Sequence, residues 1–229
     1  TAGNLPVLIN SNLNPSVVSN EYFRADTEKE YIKTVDEFMG FINDCRTADE
    51  AIKNKKYTLL DDIDMSEVDW QQIDVINSTI DGNGHKIINL NLKNVNNDND
   101  SLSMFGTVDN STIKNIVFEN PIFSANASEA AVVANLVNSS DNTSSSSIES
   151  ITIEFATPIS NKTSRIAAVA NRIDNSTIVK ACEVKNLVIG DNAVVSSVAG
   201  VVNTINSESR IINSSVVATL RGDLLVAGI

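Results

Sequence analysis

The sequence predicts an all-β protein, a right-handed parallel β-helix with a short capping helix at its N-terminal end. Three observations carry that expectation. The pentapeptide "DNSTI" stands at Asp109–Ile113 and again at Asp174–Ile178, and "NSTI" recurs at Asn77–Ile80. From Gln71 onward short runs rich in Ile and Val follow one another with no helical period of useful length. These runs also repeat as sets, at a period of about 30 residues, a range that marks a solenoid.

The elements follow in chain order. Residues 1–32 mix Asn, Ser and Pro with short apolar runs and read as an irregular segment or linker. Residues 33–56 read as the capping region. Thr34 followed by Glu37 forms a capping box, and Val35, Phe38, Met39, Phe41 and Ile42 make an apolar stripe at helical spacing, so a helix is expected from Val35 to Cys45. A further helical turn is expected over Ala48–Asn54. "KKYTLLDDIDM" then reads as a strand, with Tyr57, Leu59 and Ile63 two or four residues apart.

Residues 57–229 are the solenoid. Its units align as "SMFGTVDNSTIKNIVFENPIF", "AAVVANLVNSSDNTSSSSIESITIEF", "IAAVANRIDNSTIVKACEVKNLVIGD" and "SSVAGVVNTINSESRIINSSVVATL". Each has a strand of small residues, a polar turn and a strand of Ile and Val. "DNSTI" is the corner: Asp and Asn tolerate tight-turn dihedrals and bond their own backbone, and the Ile points inward. Stacked corners would place Asn side chains one above another in amide ladders. Gly106, Ala134, Ala170 and Gly200 are expected where the wall is crowded. No coil can bury its own apolar face, so the coils share one core. An open end of the stack exposes that core and unpaired strand edges, which is why an amphipathic cap is expected. The closing "LLVAGI" reads as the first strand of a further coil, so the solenoid is expected to continue beyond residue 229.

Around the first coil the motifs resemble a known family. Asp62-Ile63-Asp64-Met65-Ser66, Trp70, Asp81-Gly82-Asn83-Gly84-His85 and then "SMFGTV" and "STIKNIVF" resemble the GLUG-type repeat β-helix modules of bacterial cell-surface and secreted proteins. Such modules occur in adhesin-like proteins and upstream of the peptidase in IgA1-specific metalloproteases. The resemblance covers Tyr57 to the end, and in the later repeats Ala and Val replace most of the family's glycines. It implies an extracellular, non-enzymatic module. The chain has no His-Glu-x-x-His motif, so it does not itself carry that metalloprotease chemistry.

Composition narrows the function classes. The net charge is −12, and the first hundred residues hold 18 acidic against 9 basic side chains. No basic stripe is present to neutralise phosphates, which argues against nucleic acid and anionic membranes. No run approaches the roughly 18 apolar residues that span a membrane. Cys45 and Cys182 are the only cysteines, too few and too far apart for a disulfide framework or a zinc site, and Cys182 is expected to face the core.

No residue set forms a recognisable active site, and no cofactor is expected. Asn77, Asp81, Gly82, Asn83, Gly84, Asn110 and Asn175 are read as structural corners. Asp61, Asp62, Asp64, Glu67 and Asp69 are oxygen donors of the kind calcium takes, but their spacing is not an EF-hand loop and the solvated-loop reading leads. Trp70 is read as a lid between cap and first coil, with a sugar-stacking role as the alternative. Glu119, Glu154, Asp174, Glu183 and Asp191, with Arg165, Arg172 and Lys180, are the wall residues a glycosidase or lyase would use. They look scattered, with no pair at matching repeat positions. Arg221-Gly222-Asp223 fits a plain corner better than an integrin motif. The eight N-x-S/T sequons follow from the Asn-Ser-rich corners. The expected function is an adhesin-like stalk or contact surface, whose partners are protein or glycan on a host or neighbouring cell. Further domains, or self-association, are expected at the open C-terminal coil. The alternatives are a carbohydrate-binding or carbohydrate-cleaving β-helix, such as a phage-type spike, and a passive module of a secreted metalloprotease.

Overall fold

In a computed structural model, residues 29–46, 55–93, 101–141, 145–220 and 225–228 are described. The expected helical turn at Ala48–Asn54, the Arg221-Gly222-Asp223 tripeptide, Asn142 and most of the N-terminal segment lie outside them.

The chain winds as a solenoid in which every strand pairing is parallel, so the all-β parallel β-helix is the observed fold. Each coil runs through four walls. The first wall has seven strands: Lys29–Ile32, Lys56–Leu59, Thr79–Asp81, Thr112–Lys114, Ser147–Glu149, Ile178–Lys180 and Arg210–Ile212. The second has six: Ile63–Asp64, Lys86–Ile88, Val117–Glu119, Thr152–Glu154, Glu183–Val188 and Ser215–Thr219. The third runs from Ser101–Leu102 through Ala127–Ala130, Thr163–Ala167 and Ser197–Ala199 to Leu225–Ala227. The fourth runs from Ile73–Ile76 through Phe105–Asp109, Ala134–Asn138 and Ala170–Ile173 to Val202–Ile205. A short pair, Asn91–Leu92 with Ile122–Phe123, links the second wall to the third.

The strands are short because each alternates one inward residue with outward ones and then meets a corner. The inward residues stack in register: Tyr57, Ile80, Ile113, Ile148, Val179 and Ile211 line the first wall. Ile63, Ile87, Phe118, Ile153, Val184 and Val216 line the second. The core these columns share is one continuous cluster along the solenoid. This is the burial no single coil achieves alone.

The helix Val35–Arg46 closes the N-terminal end. Its capping box forms as the sequence indicates: the Glu37 N–H donates to Thr34 Oγ1 at 3.2 Å, and the Thr34 N–H donates to Glu37 Oε2 at 3.1 Å. Phe38, Phe41 and Ile42 are buried against the strands Ile63–Asp64 and Ile73–Ile76. Lys29–Ile32, within the stretch read as irregular, is a strand that pairs with Lys56–Leu59, so the first wall begins before the helix. Its burial depends on partners outside its own sequence, which no local pattern reveals.

One expected alignment shifts. Ala134 pairs with Phe105 and Ala170, and Ala170 pairs with Val202, so Gly106 and Gly200 do not share a column with the two alanines. Crowding at the two glycines is nonetheless real. A Cβ on Gly106 would lie 2.6 Å from the Asp74 carbonyl oxygen, and one on Gly200 would overlap the Gly228 carbonyl.

Candidate functional site

The polar residues that could carry chemistry sit at the corners and on the outer walls. The corners are built from left-handed residues. Asn115, Ser150, Ala181 and Asn213, with φ of 54°, 51°, 52° and 50°, stack between the first and second walls. At the corner Asp81-Gly82-Asn83-Gly84-His85 positive φ falls on Asn83 and Gly84. Gly82 serves a different need: a side chain there would overlap the Asn115 carbonyl oxygen and Ile116.

The amide ladders form. Asn120 Nδ2 donates to Asn89 Oδ1 at 2.8 Å, and Asn89 Nδ2 to Asp64 Oδ1 at 3.1 Å. Asn175 Nδ2 donates to Asn138 Oδ1 at 2.7 Å. On the fourth wall Asn203 Nδ2 donates to Asn171 Oδ1 at 3.0 Å, and Asn171 Nδ2 to Asn135 Oδ1 at 3.1 Å. Sequence reading placed ladders at the corners. It missed this one because the three asparagines sit within strands and only the register unites them.

The two copies of "DNSTI" differ. In the first, only Asn110 is left-handed, and Ile113 enters the core. In the second, both Asn175 and Ser176 are left-handed, so the turn holds one more residue. Thr177 then takes the buried place that Ser111 holds in the first copy, Ile178 pairs with Ser147, and Val179 enters the core column. The inward Ile expected at Ile178 is corrected to Val179. Ser78, Ser111, Ser146 and Thr177 form a buried hydroxyl column beneath this corner. The Ser111 N–H donates to Ser146 Oγ at 3.2 Å, and the Thr177 N–H to Ser209 Oγ at 3.1 Å, which satisfies buried backbone groups where the chain turns.

The five acidic residues of the first coil are not gathered around one point. Asp62 Oδ1 accepts from the Lys86 N–H at 2.9 Å and lies 3.3 Å from His85 Nδ1. Asp61 accepts from the Asp62 N–H at 2.9 Å, and Asp69 pairs with Lys93 at 2.6 Å. Bonds to Asp64 from the Ser66 N–H and from Asn89 hold its carboxyl below the usual range. Glu67 is exposed. Among the described residues no three His, Cys, Asp or Glu side chains come together as a metal site.

Trp70 is 1% exposed and stacks on Phe38 with ring centroids 6.3 Å apart. It is the lid between cap and coil, and its ring offers no platform to a sugar. Cys182 occupies the inward place next to the left-handed Ala181, and burial pushes its thiol up to about 11. Both cysteines are buried, and neither is part of a disulfide.

The wall carboxylates pair between coils. Lys86 meets Glu119 at 2.6 Å, Lys114 meets Asp81 at 3.2 Å, and Lys180 meets Glu149 at 3.0 Å. Lys185 lies 3.8 Å from Glu154 and 3.3 Å from Glu183, and Arg165 pairs with Glu129. One expectation is corrected here: Glu119 and Glu154 do stand at matching positions, directly opposite each other on adjacent coils. Loops of unequal length between the strands hid that match. Asp174 is held below the usual carboxylate range by bonds from Ser207, its own corner and Asn206.

Beside that corner lies an open, polar cleft of about 400 Å³ lined by Ser139, Asp141, Ser145, Asn175, Ser176, Ser207 and Glu208. It forms where the turns at Asn175–Ser176 and Ser207–Glu208 project beyond the one-residue corners. No helix among the described residues is long and apolar enough to cross a membrane.

No protein family matches this chain, and no curated protein matches it. Among solved structures the chain is similar to a candidate immunoglobulin A1 protease from Bacteroides ovatus, solved at 1.30 Å. The two share 14% identity over 89% of this chain and 85% of that one, with a TM-score of 0.45.

Proposed function

We propose that this chain is a non-enzymatic extracellular module, an adhesin-like stalk or contact surface of a bacterial cell-surface protein. The observation that carries the reading is the use made of the polar side chains. Glu119, Glu129, Glu149, Glu154, Glu183 and Asp81 each face a lysine or arginine, mostly on a neighbouring coil. The corner amides bond to the corners above and below. These groups hold the stack together and are not aimed at a common point where a substrate would react. A body of this kind is suited to distance and to flat contact with protein or glycan.

A second reading has one observation in its favour. Glu119 and Glu154 stand on neighbouring strands, about 4.8 Å apart in the ladder, and retaining glycosidases hold their carboxyls about 5 Å apart. Each, however, is tied to a lysine rather than left to share a proton with the other.

The test is to incubate the purified chain with a panel of neutral and acidic polysaccharides and follow reducing-end release. The stalk reading expects none. Release that disappears in Glu119→Gln or Glu154→Gln would establish the glycosidase instead.

A further inference from the structure

We propose that Asn83 is a site of spontaneous deamidation, held closed by the stacked coils and opened when its coil separates from the next. Asn83-Gly84 is the only Asn-Gly pair in the 229 residues. Deamidation begins when the backbone nitrogen of the following residue attacks the asparagine side-chain carbonyl carbon. Here the Gly84 nitrogen gives up its proton and bonds to Cγ of Asn83, the Cγ–Nδ2 bond breaks, and ammonia leaves with that proton. Water then opens the cyclic imide. The product is aspartate, or isoaspartate, in which the main chain runs through the former side chain. Glycine permits the attack best because it has no side chain to shield its nitrogen.

The corner commits that nitrogen elsewhere. Gly82 to His85 form a turn with positive φ at both central residues, 52° at Asn83 and 83° at Gly84, closed by the His85 N–H donating to the Gly82 carbonyl at 2.8 Å. The Asn83 N–H donates to Asp81 Oδ1 at 2.9 Å. The Gly84 N–H, which the reaction needs, donates to the Asn115 carbonyl of the next coil at 2.8 Å. Asn115 is itself fixed: its N–H donates to the Glu149 carbonyl at 3.0 Å, and its Nδ2 donates to Asp81 Oδ1 at 2.9 Å. A nitrogen whose proton is held by a neighbouring coil neither loses it readily nor turns toward the side chain. Water is not what is withheld, because Asn83 and Gly84 are both exposed. The guard is the bond between coils.

The arrangement recurs where the chain repeats its turn. After Asn110 the Ser111 N–H donates to Ser146 Oγ at 3.2 Å, and after Asn175 the Ser176 N–H donates to the Ser207 carbonyl at 2.7 Å. Corners rich in Asn-Ser and Asn-Gly are a chemical liability, and stacking guards these three one by one. Asn83 is the most exposed to it, because its attacking nitrogen belongs to glycine. At Asn83 the change is one-way. The new carboxylate stands at a corner that already holds Asp81 and, through His85, Asp62. Isoaspartate also adds a main-chain carbon, which moves the Gly84 N–H away from the Asn115 carbonyl. The corner therefore records how long its coil has spent unstacked.

Peptide mapping by mass spectrometry tests this on the 229-residue chain, aged at one pH and temperature both folded and in urea. Asn83 is expected to deamidate about 10- to 1,000-fold more slowly in the folded chain, the range set by an open state populated at about 10 to 0.1%. Hydrogen exchange at the Gly84 N–H is the second readout. Its protection factor is expected to match the slowing of deamidation, because one opening governs both. Asn115→Ala places alanine at a φ of 54° and removes the tie to Asp81, so it is expected to speed both processes by the same factor. Asn175→Ala, at a left-handed residue of a different corner, is expected to change neither. Deamidation as fast in the folded chain as in urea, deamidation slowed while the Gly84 N–H exchanges freely, or an Asn115→Ala chain in which exchange rises and deamidation does not would each overturn the proposal.

Discussion

A left-handed residue decides more here than the letters around it. "DNSTI" at Asp109–Ile113 and at Asp174–Ile178 is one sequence in two registers, because Ser176 joins Asn175 at positive φ while Ser111 stays under the corner. The next coil explains the choice. Ser207 and Glu208 are also left-handed, and the Ser176 N–H donates to the Ser207 carbonyl at 2.7 Å, so two like turns stack. Local sequence holds no trace of that, which is why the corner was legible and its register was not. The register makes a residue-level prediction. Val179→Asp buries an unpaired charge and is expected to cost about 3–5 kcal/mol, whereas Ile178→Ser, on the outer face, is expected to cost about 1 kcal/mol or less. Chemical denaturation of both variants checks it, and the reverse ranking would restore the inward Ile178. At the same scale, the buried Cys182 thiol, pushed up to about 11, is expected to resist an aromatic disulfide reagent until the protein unfolds. Rapid labelling of the native chain would contradict its place under the corner.

Elements were legible in proportion to how local their causes are. The cap helix follows from Thr34, Glu37 and an apolar stripe, all within 12 residues, and it forms as those residues dictate. The wall strands were visible as Ile and Val runs. Their partners were not, because loops of different length shift the coils: the column from Ile80 to Ile211 advances by 33, 35, 31 and 32 residues. That unevenness also hid the Glu119–Glu154 match and misaligned Gly106 with Ala134. The strand Lys29–Ile32 was missed because it borrows its burial from the first coil. The cap has a direct test. Phe38 is fully buried between Trp70 and Phe41, with ring centroids 6.3 and 6.1 Å away. Phe38→Asp is expected to lower stability by about 4 kcal/mol in thermal or urea unfolding. A neutral result would mean that the helix does not seal the core.

At the scale of the molecule, corner and wall contacts add along one axis, so the stack answers to pH as a whole. Asp64 and Asp174 are held below the usual carboxylate range, Asp64 chiefly by the Ser66 N–H and Asp174 chiefly by Ser207. Burial works to raise Asp81, but bonds from Asn115, the Asn83 N–H and Lys114 outweigh it and hold it low as well. Carboxyls with a folded value below the unfolded one contribute stability that is complete above the unfolded value near 4 and is lost as pH falls through the lower folded values. The melting temperature is therefore expected to be level from about pH 7 to 5 and to fall below about pH 4, with Asp81→Asn flattening the fall. A fall already under way at pH 6 would place its cause elsewhere.

The coils stack in the register that brings their polar side chains together as mutual supports. The most direct measurement is disulfide trapping between adjacent coils. Thr112 and Ser147 are register partners whose hydroxyls lie 3.2 Å apart, and neighbouring strands lie within the span a disulfide bridges. Thr112→Cys with Ser147→Cys, oxidised under mild conditions, is expected to close an intramolecular bond that mass spectrometry locates between those two positions. Thr112→Cys with Glu149→Cys, one register step away on the same face, is expected to remain reduced. Ready closure of the second pair and not the first would contradict the register, and with it the account of how this chain is built.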